Sequence, residues 1–139
     1  MQAQKPLPQP TPDTRPFWDA MKRHELRLPK CNSCGELHYY PRSFCSKCFS
    51  RDLEWVTCSG RGKVYSYVIS YRPAPDYRSE APYVIAVVEL EEGVRMLSNL
   101  VGVEPDPARL SLDMPVEVTF EEASDDVTLP LFRPVGEGM

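Results

Sequence analysis

Two cysteine pairs constrain this chain more than any other feature. Cys31/Cys34 and Cys45/Cys48 each have C-x2-C spacing, with ten residues between the pairs. Such spacing lets one tight turn aim two sulfurs at a single point, with turn amides directed at them. Two turns facing each other build a tetrahedral four-thiolate site, a donor set that suits Zn²⁺. Gly35 follows the first pair, where the turn calls for positive φ. His38-Tyr39-Tyr40-Pro41 is expected as a strand returning from the first turn, and Leu53-Glu54-Trp55-Val56 as a strand leaving the second. A ribbon of about thirty residues has no room for its own core, so metal binding must supply its folding free energy.

Four protein thiolates leave no open coordination position, which assigns the metal a structural role. Gly35 and Phe49, not histidines, follow the pairs, so c-type haem attachment is excluded. Iron in the same donor set would make an electron carrier, an alternative that a colourless protein would dismiss. Cys58, in VTCSG, has no partner at ligand spacing and reads as a buried, inert thiol. A nucleophilic role for it would need a base, and the chain has only two histidines, His24 and His38.

Residues 1–13 form a proline-rich arm, expected to be disordered or to wrap a partner subunit. The segment 14–28 carries a short amphipathic helix. Asp13 or Thr14 can cap it, Pro16 suits its first turn, and Phe17 and Met21 are i,i+4 neighbours beside Trp18. A helix of this length is unstable alone and must dock. His24 is expected at its end and His38 between ribbon strands, both in packing or surface roles. The ribbon occupies 29–58.

From 59 to 135 the pattern is β. The turn Gly60-Arg61-Gly62 opens a long strand over Lys63–Arg72. Strict alternation there would put Tyr65, Tyr67, Ile69 and Tyr71 on one face, and Val64, Ser66, Val68 and Ser70 on the other. Strands follow over Tyr83–Leu90, Val94–Val101, Pro115–Glu121 and Leu129–Pro134. Glu91-Glu92-Gly93 is a tight hairpin, and one helical turn is expected near Pro107–Leu110. Five strands with a helical connector between the third and fourth suit a small antiparallel barrel of the OB-fold type. The fold class is thus mainly β: an N-terminal helix, a four-cysteine zinc ribbon and a five-stranded barrel.

Charge is unevenly spread. Residues 1–79 hold 13 Lys/Arg and 7 Asp/Glu, whereas residues 80–139 hold 3 and 13. The acidic half opposes a single-stranded nucleic-acid role, the alternative that an OB-fold with a tyrosine-lined strand would otherwise suggest. No apolar run approaches the ~18 residues of a membrane span, and the N-terminus has no apolar stretch. A cytoplasmic setting is the expectation, in which cysteines serve as thiols or ligands.

The order of these features resembles the acyl-CoA-associated family known as domain of unknown function thirty-five. The matching stretches are PFWDAMKRHELRLPKC, the C-x2-CG…YYPR…C-x2-C run, LEWVTCSGRGKVYSYVISYRP, APYVIAVVELEEGVRMLSNLVG, MPVEVTFEE and LPLFRP, which together reach from residue 16 to 134. The resemblance implies a rubredoxin-like ribbon with an OB-fold in a non-catalytic accessory subunit. It would pair with a thiolase-superfamily subunit performing thiolysis or Claisen condensation, retro-aldol cleavage or acyl transfer. The catalytic residues would then lie on the partner. It implies Zn²⁺ on Cys31, Cys34, Cys45 and Cys48, and a coenzyme A thioester at the subunit interface. The Gly60–Lys63 turn could cradle a phosphate, and Arg61, Lys63 and Arg72 are the candidate contacts.

Overall fold

The computed structural model describes residues 9–12, 14–71, 82–125 and 127–135. Most of the proline-rich arm, Asp13 and Arg72 lie outside them. Helix α1 spans Arg15–Lys22 and buries Phe17, Trp18, Ala20 and Met21. Thr14 holds the N-cap position, but its hydroxyl accepts from the Thr11 amide at 2.9 Å rather than from the helix. The helix stops through a Schellman closure. The His24 amide donates to Met21 O and the Glu25 amide to Ala20 O, with His24 left-handed at φ 61°. The segment 14–28 therefore holds two turns of helix and the start of a strand.

That strand, β1 (Arg27–Cys31), pairs antiparallel with β2 (Leu53–Thr57), Cys31 lying opposite Leu53 and Arg27 opposite Thr57. Both cysteine turns hang from this hairpin. The expected strand over His38–Pro41 does not form. Only Leu37 makes a bridge, to Lys30, and the His38 amide donates to Pro29 O at 3.0 Å. With β1's inner edge so briefly occupied, Tyr39 and Tyr40 turn away to meet the helix. Tyr40 Oη accepts from Trp18 Nε1 at 3.1 Å, and Phe17 meets Tyr39, Tyr40 and Trp18 edge-on.

The remaining strands are β3 (Arg61–Ser70), β4 (Tyr83–Leu90), β5 (Arg95–Leu100), β6 (Pro115–Glu122) and β7 (Thr128–Pro134). They close a barrel in the order β3-β4-β5-β7-β6. All neighbours are antiparallel except β5 and β7, which run parallel and share the pair Leu100–Phe132. A 3-10 turn over Pro107–Arg109 lies between β5 and β6, with Asp106 accepting from the Ala108 amide. This is the OB-fold arrangement of five strands. Val64, Val84, Val88, Met96, Val116 and Phe132 fill its interior. The same apolar cluster includes Phe17, Met21, Leu26 and Leu28, so helix, ribbon base and barrel share one core.

The alternation read along β3 fails at one point. Val64 pairs with Val88, but Ser66 pairs with Val87, so Tyr65 is the extra residue of a β-bulge. Beyond the bulge the parity inverts. Val64, Tyr67 and Ile69 face the core, while Tyr65 and Val68 point outward, 47% and 59% exposed. Tyr65 and Tyr67 therefore do not share a face. The exposed Tyr65 ring is covered by the Arg95 guanidinium at 3.8 Å.

Gly62 belongs to the same strand for a packing reason. A Cβ there would run into the Glu89 carbonyl oxygen and lie 3.0 Å from the Leu90 Cα, both backbone atoms of β4. Gly62→Ala is expected to cost about 2 kcal/mol or more, by forcing two paired strands apart. Phe17→Ala, which empties the shared core, is expected to cost about 3–5 kcal/mol. Urea titrations followed by tryptophan fluorescence measure both. A Gly62→Ala protein with an unchanged midpoint would show that β4 is not held where described.

Candidate metal centre

The two turns below the β1–β2 hairpin repeat one hydrogen-bond pattern. In the first, the Gly35 amide donates to Cys31 O at 2.7 Å and the Cys31 amide to Glu36 O at 2.8 Å. In the second, the Phe49 amide donates to Cys45 O and the Cys45 amide to Ser50 O, both at 2.8 Å. Ser33 Oγ donates to Ser50 Oγ and Asn32 Nδ2 to Asp52 Oδ1, which ties the turns together. The Lys47 and Cys48 amides point at Cys45 Sγ, at 3.3 and 3.4 Å.

This framework brings all four sulfurs within 4.8 Å of one another. Cys31 Sγ lies 3.6 Å from Cys48 Sγ, and Cys34 Sγ lies 3.6 Å from Cys45 Sγ. Four thiolates around Zn²⁺ at ~2.3 Å would sit about 3.8 Å apart, so the donor set fits that ion in size as well as in chemistry. The thiols are poised unequally. Burial raises the Cys31 thiol, but the Cys34 and Ser33 amides outweigh it and bring it down to about 6. Cys45 is lowered in the same way, with amides of Cys48 and Lys47 overcoming burial. Cys34 receives the Glu36 amide, yet burial and the neighbouring sulfurs push it up to about 12. Cys48 is likewise raised: the Ser50 amide lowers it, but Cys31, burial and Cys45 prevail. Four thiolates in one place repel, and a central cation is what allows all four to ionise.

The other candidate residues are dispersed. Cys58 is buried in the shared core, its amide bonded to Leu26 O. Burial, then the Glu92 charge, pushes its thiol up to about 11, so it is a neutral thiol near pH 7. His24 stacks on Phe120 at 4.8 Å, with Nε2 3.5 Å from Glu122 Oε2. His38 is buried, and its Nε2 has no partner among the described residues. Neither histidine bonds to Cys58 among the described residues. Arg61 pairs with Glu91 at 3.3 Å, and Lys63 with Asp113 at 3.7 Å and Glu89 at 3.9 Å. At the glycine turn the Ser59 amide already donates to Glu92 Oε2 at 2.7 Å. A groove of about 370 Å³ runs along β4, β5 and β7, lined by Tyr83, Ile85, Leu97, Leu129 and Leu131.

One residue of the centre went unread in the sequence. Phe49 holds the position in the second turn that Gly35 holds in the first, and both are left-handed, at φ 65° and 83°. A phenylalanine in that conformation costs on the order of 1–2 kcal/mol relative to glycine. The signal was present, since Gly and Phe follow equivalent cysteines.

A four-thiol ribbon fused to a five-stranded barrel defines a zinc-ribbon OB-fold protein. Comparison with known proteins makes the class specific. The ChsH2 rubredoxin-like zinc ribbon family matches residues 18–54 and the ChsH2 C-terminal OB-fold family matches residues 55–121. A "DUF35 domain-containing scaffold protein" of Methanocaldococcus jannaschii is 36% identical over 78% of this chain and 77% of its own length. The chain belongs to this DUF35 family. A "Probable enoyl-CoA hydratase alpha subunit" of Thermomonospora curvata is 39% identical over 95% of this chain, and "Benzoylsuccinyl-CoA thiolase subunit BbsA" of Geobacter metallireducens is 37% identical over 68% of this chain and 61% of its own length. The chain spans about two-fifths of the length of the hydratase alpha subunits it matches, 40% and 37%. The solved "Ltp2-ChsH2(DUF35) aldolase" includes a chain that superposes with TM-score 0.79 and 38% identity, over 92% of this chain and 98% of that one. No helix among the described residues is long and apolar enough to cross a membrane.

Two measurements test the centre. A strong chelator, or Cys45→Ser, is expected to remove one zinc per chain and lower the melting temperature by about 10 °C or more, because ribbon folding and metal binding are one equilibrium. An unchanged melting temperature in metal-free protein would contradict this. The second concerns His38. Burial holds its imidazole below the ordinary 6.5, Arg42 adds to this, and Glu36 opposes it. The folded chain thus favours neutral His38, and the unfolded chain takes up the proton first. Its contribution is full above about pH 6.5 and is lost as pH falls below that value. His38→Gln is expected to flatten the melting-temperature profile between pH 5 and 7. Parallel profiles for the two proteins would remove His38 as the titrating group.

Proposed function

We propose that this chain is a zinc-stabilised accessory subunit, non-catalytic by itself, that pairs with a thiolase-superfamily subunit acting on acyl-CoA thioesters. The observation that carries the reading is its likeness, over almost the entire length of the matched chain, to the ChsH2(DUF35) component of an aldolase assembly. The BbsA relative, by its printed name a thiolase subunit, supports the same class of partner. Enoyl-CoA hydration is not carried over, because most of the length of those hydratase subunits is unmatched here. Cys31, Cys34, Cys45 and Cys48 hold the zinc, which fixes the ribbon and takes no part in bond making. The active-site residues belong to the partner, and burial keeps Cys58 a neutral thiol near pH 7.

Direct contact with coenzyme A is a finer part of the proposal. Arg61 and Lys63 are exposed and paired with exposed carboxylates, and such pairs are worth about 0–1 kcal/mol each. A polyanionic cofactor could therefore recruit them without large cost, with Arg72 as the third candidate. The test is co-expression with each thiolase-superfamily subunit of the source genome, and with Ltp2 as a heterologous probe. Light scattering after size exclusion is expected to show a hetero-oligomer, with acyl-CoA cleavage or condensation only when both chains are present. A lone monomer with every candidate, or turnover by this chain alone, would overturn the assignment.

A further inference from the structure

We infer that the second cysteine turn carries a docking anchor: the stacked pair Phe44–Phe49 seats in an apolar socket with an acidic rim on the partner enzyme subunit. The inference rests on the accessory-subunit reading and locates one of its contact surfaces. The two turns of the ribbon supply an internal control. They share their hydrogen bonds and their left-handed closing residue, yet one closes with glycine and the other with phenylalanine. The fold of the turn does not require a ring there, since Gly35 closes its twin. Nor does the ring serve the core, because Phe49 is 74% exposed. A strained backbone that displays a large apolar side chain to water gains nothing within the chain.

Phe44 extends the surface. It precedes Cys45, is 37% exposed, and stacks on Phe49 with centroids 6.3 Å apart and planes 21° from parallel. Both rings flank a turn pinned at Cys45 and Cys48, so little freedom remains to be lost on binding. The surroundings state the partner's chemistry. Residues 37–51 contain Arg42, Lys47 and Arg51 and no Asp or Glu. Lys47 meets Glu36 at 3.6 Å, whereas Arg42 and Arg51 meet no carboxylate among the described residues. Apolar rings amid exposed cations match a socket whose floor is apolar and whose rim is acidic. A second copy of this chain is a poorer match. Most of its acidic residues lie on the barrel, so ribbon-to-barrel contact would be heterologous and would propagate rather than close.

The decisive variant is Phe49→Gly, which gives the second turn the residue of the first. It is expected to leave the melting temperature unchanged or raised, to retain one zinc per chain, and to weaken affinity for the partner subunit at least tenfold by titration calorimetry. Phe49→Asn, polar but tolerant of positive φ, is expected to do the same and covers any folding defect of the glycine variant. Arg51→Glu should slow association, most strongly at low salt. Unchanged affinity in both Phe49 variants overturns the anchor while leaving the accessory role intact. If the wild-type chain binds no thiolase-superfamily subunit, the accessory reading falls and the anchor with it. If instead the wild-type chain dimerises alone and Phe49→Gly abolishes that dimer, the rings belong to self-association and the inference is wrong.

Discussion

Four sulfurs that must meet at one point set the rest of this structure. Their convergence forces two turns to hang from a single short hairpin, and β1 and β2 have no other reason to pair at so modest a length. Once the hairpin is fixed, the segment after the first turn can only lead outward, and Tyr39 and Tyr40 are delivered to the helix. There they close an aromatic group around Phe17 and Trp18. The helix in turn reaches the barrel core, with Phe17 and Met21 in the same cluster as Met96 and Phe132. Metal coordination and apolar burial are thus stages of one folding event, since neither the ribbon nor the eight-residue helix has a core of its own.

Much of this was legible because the strongest signals are local. C-x2-C spacing dictates a turn whatever surrounds it, and the barrel strands are bounded by Gly, Pro and acidic turns. The misreadings have non-local causes. The helix end near His24 is not among them, although His24 closes it in a left-handed conformation that sequence pattern ordinarily assigns to Gly or Asn. The strand partner for Leu53–Thr57 is Arg27–Cys31, a segment whose proline and cations hide it from period-2 reading. The tyrosine face of β3 dissolves at the Tyr65 bulge, where one extra residue inverts the parity of all that follow. That inversion also removes the aromatic platform on which a nucleic-acid reading depended.

Charge, too, takes on meaning only in three dimensions. Among the described residues, the barrel's cations are engaged by its own carboxylates: Arg61 by Glu91, Lys63 and Arg95 by Glu89, Arg109 by Glu104, Arg133 by Glu117. The ribbon's Arg42 and Arg51 have no such neighbours among the described residues. The surface therefore presents an acidic barrel and a ribbon on which two exposed arginines stay uncompensated by carboxylates. An acidic protein surface would repel the barrel more strongly than the ribbon, which favours a ribbon-first approach.

The barrel is not closed evenly. β6 and β7 pair along nearly their whole lengths, and β4 and β5 over six residues, but β5 and β7 meet in parallel at Leu100 and Phe132 alone. Two further bonds bridge the seam, from the Val101 amide to Phe132 O and from Ser98 Oγ to Pro130 O, both 2.8 Å. Backbone groups on either side of such a seam exchange their amide protons through small local openings, while the long β3–β4, β4–β5 and β6–β7 junctions demand larger ones. The apolar groove along β4, β5 and β7 includes this seam. Its width is consequently more compliant than the long antiparallel junctions that flank it, and a ligand or partner side chain entering there would meet a wall that yields before the core does.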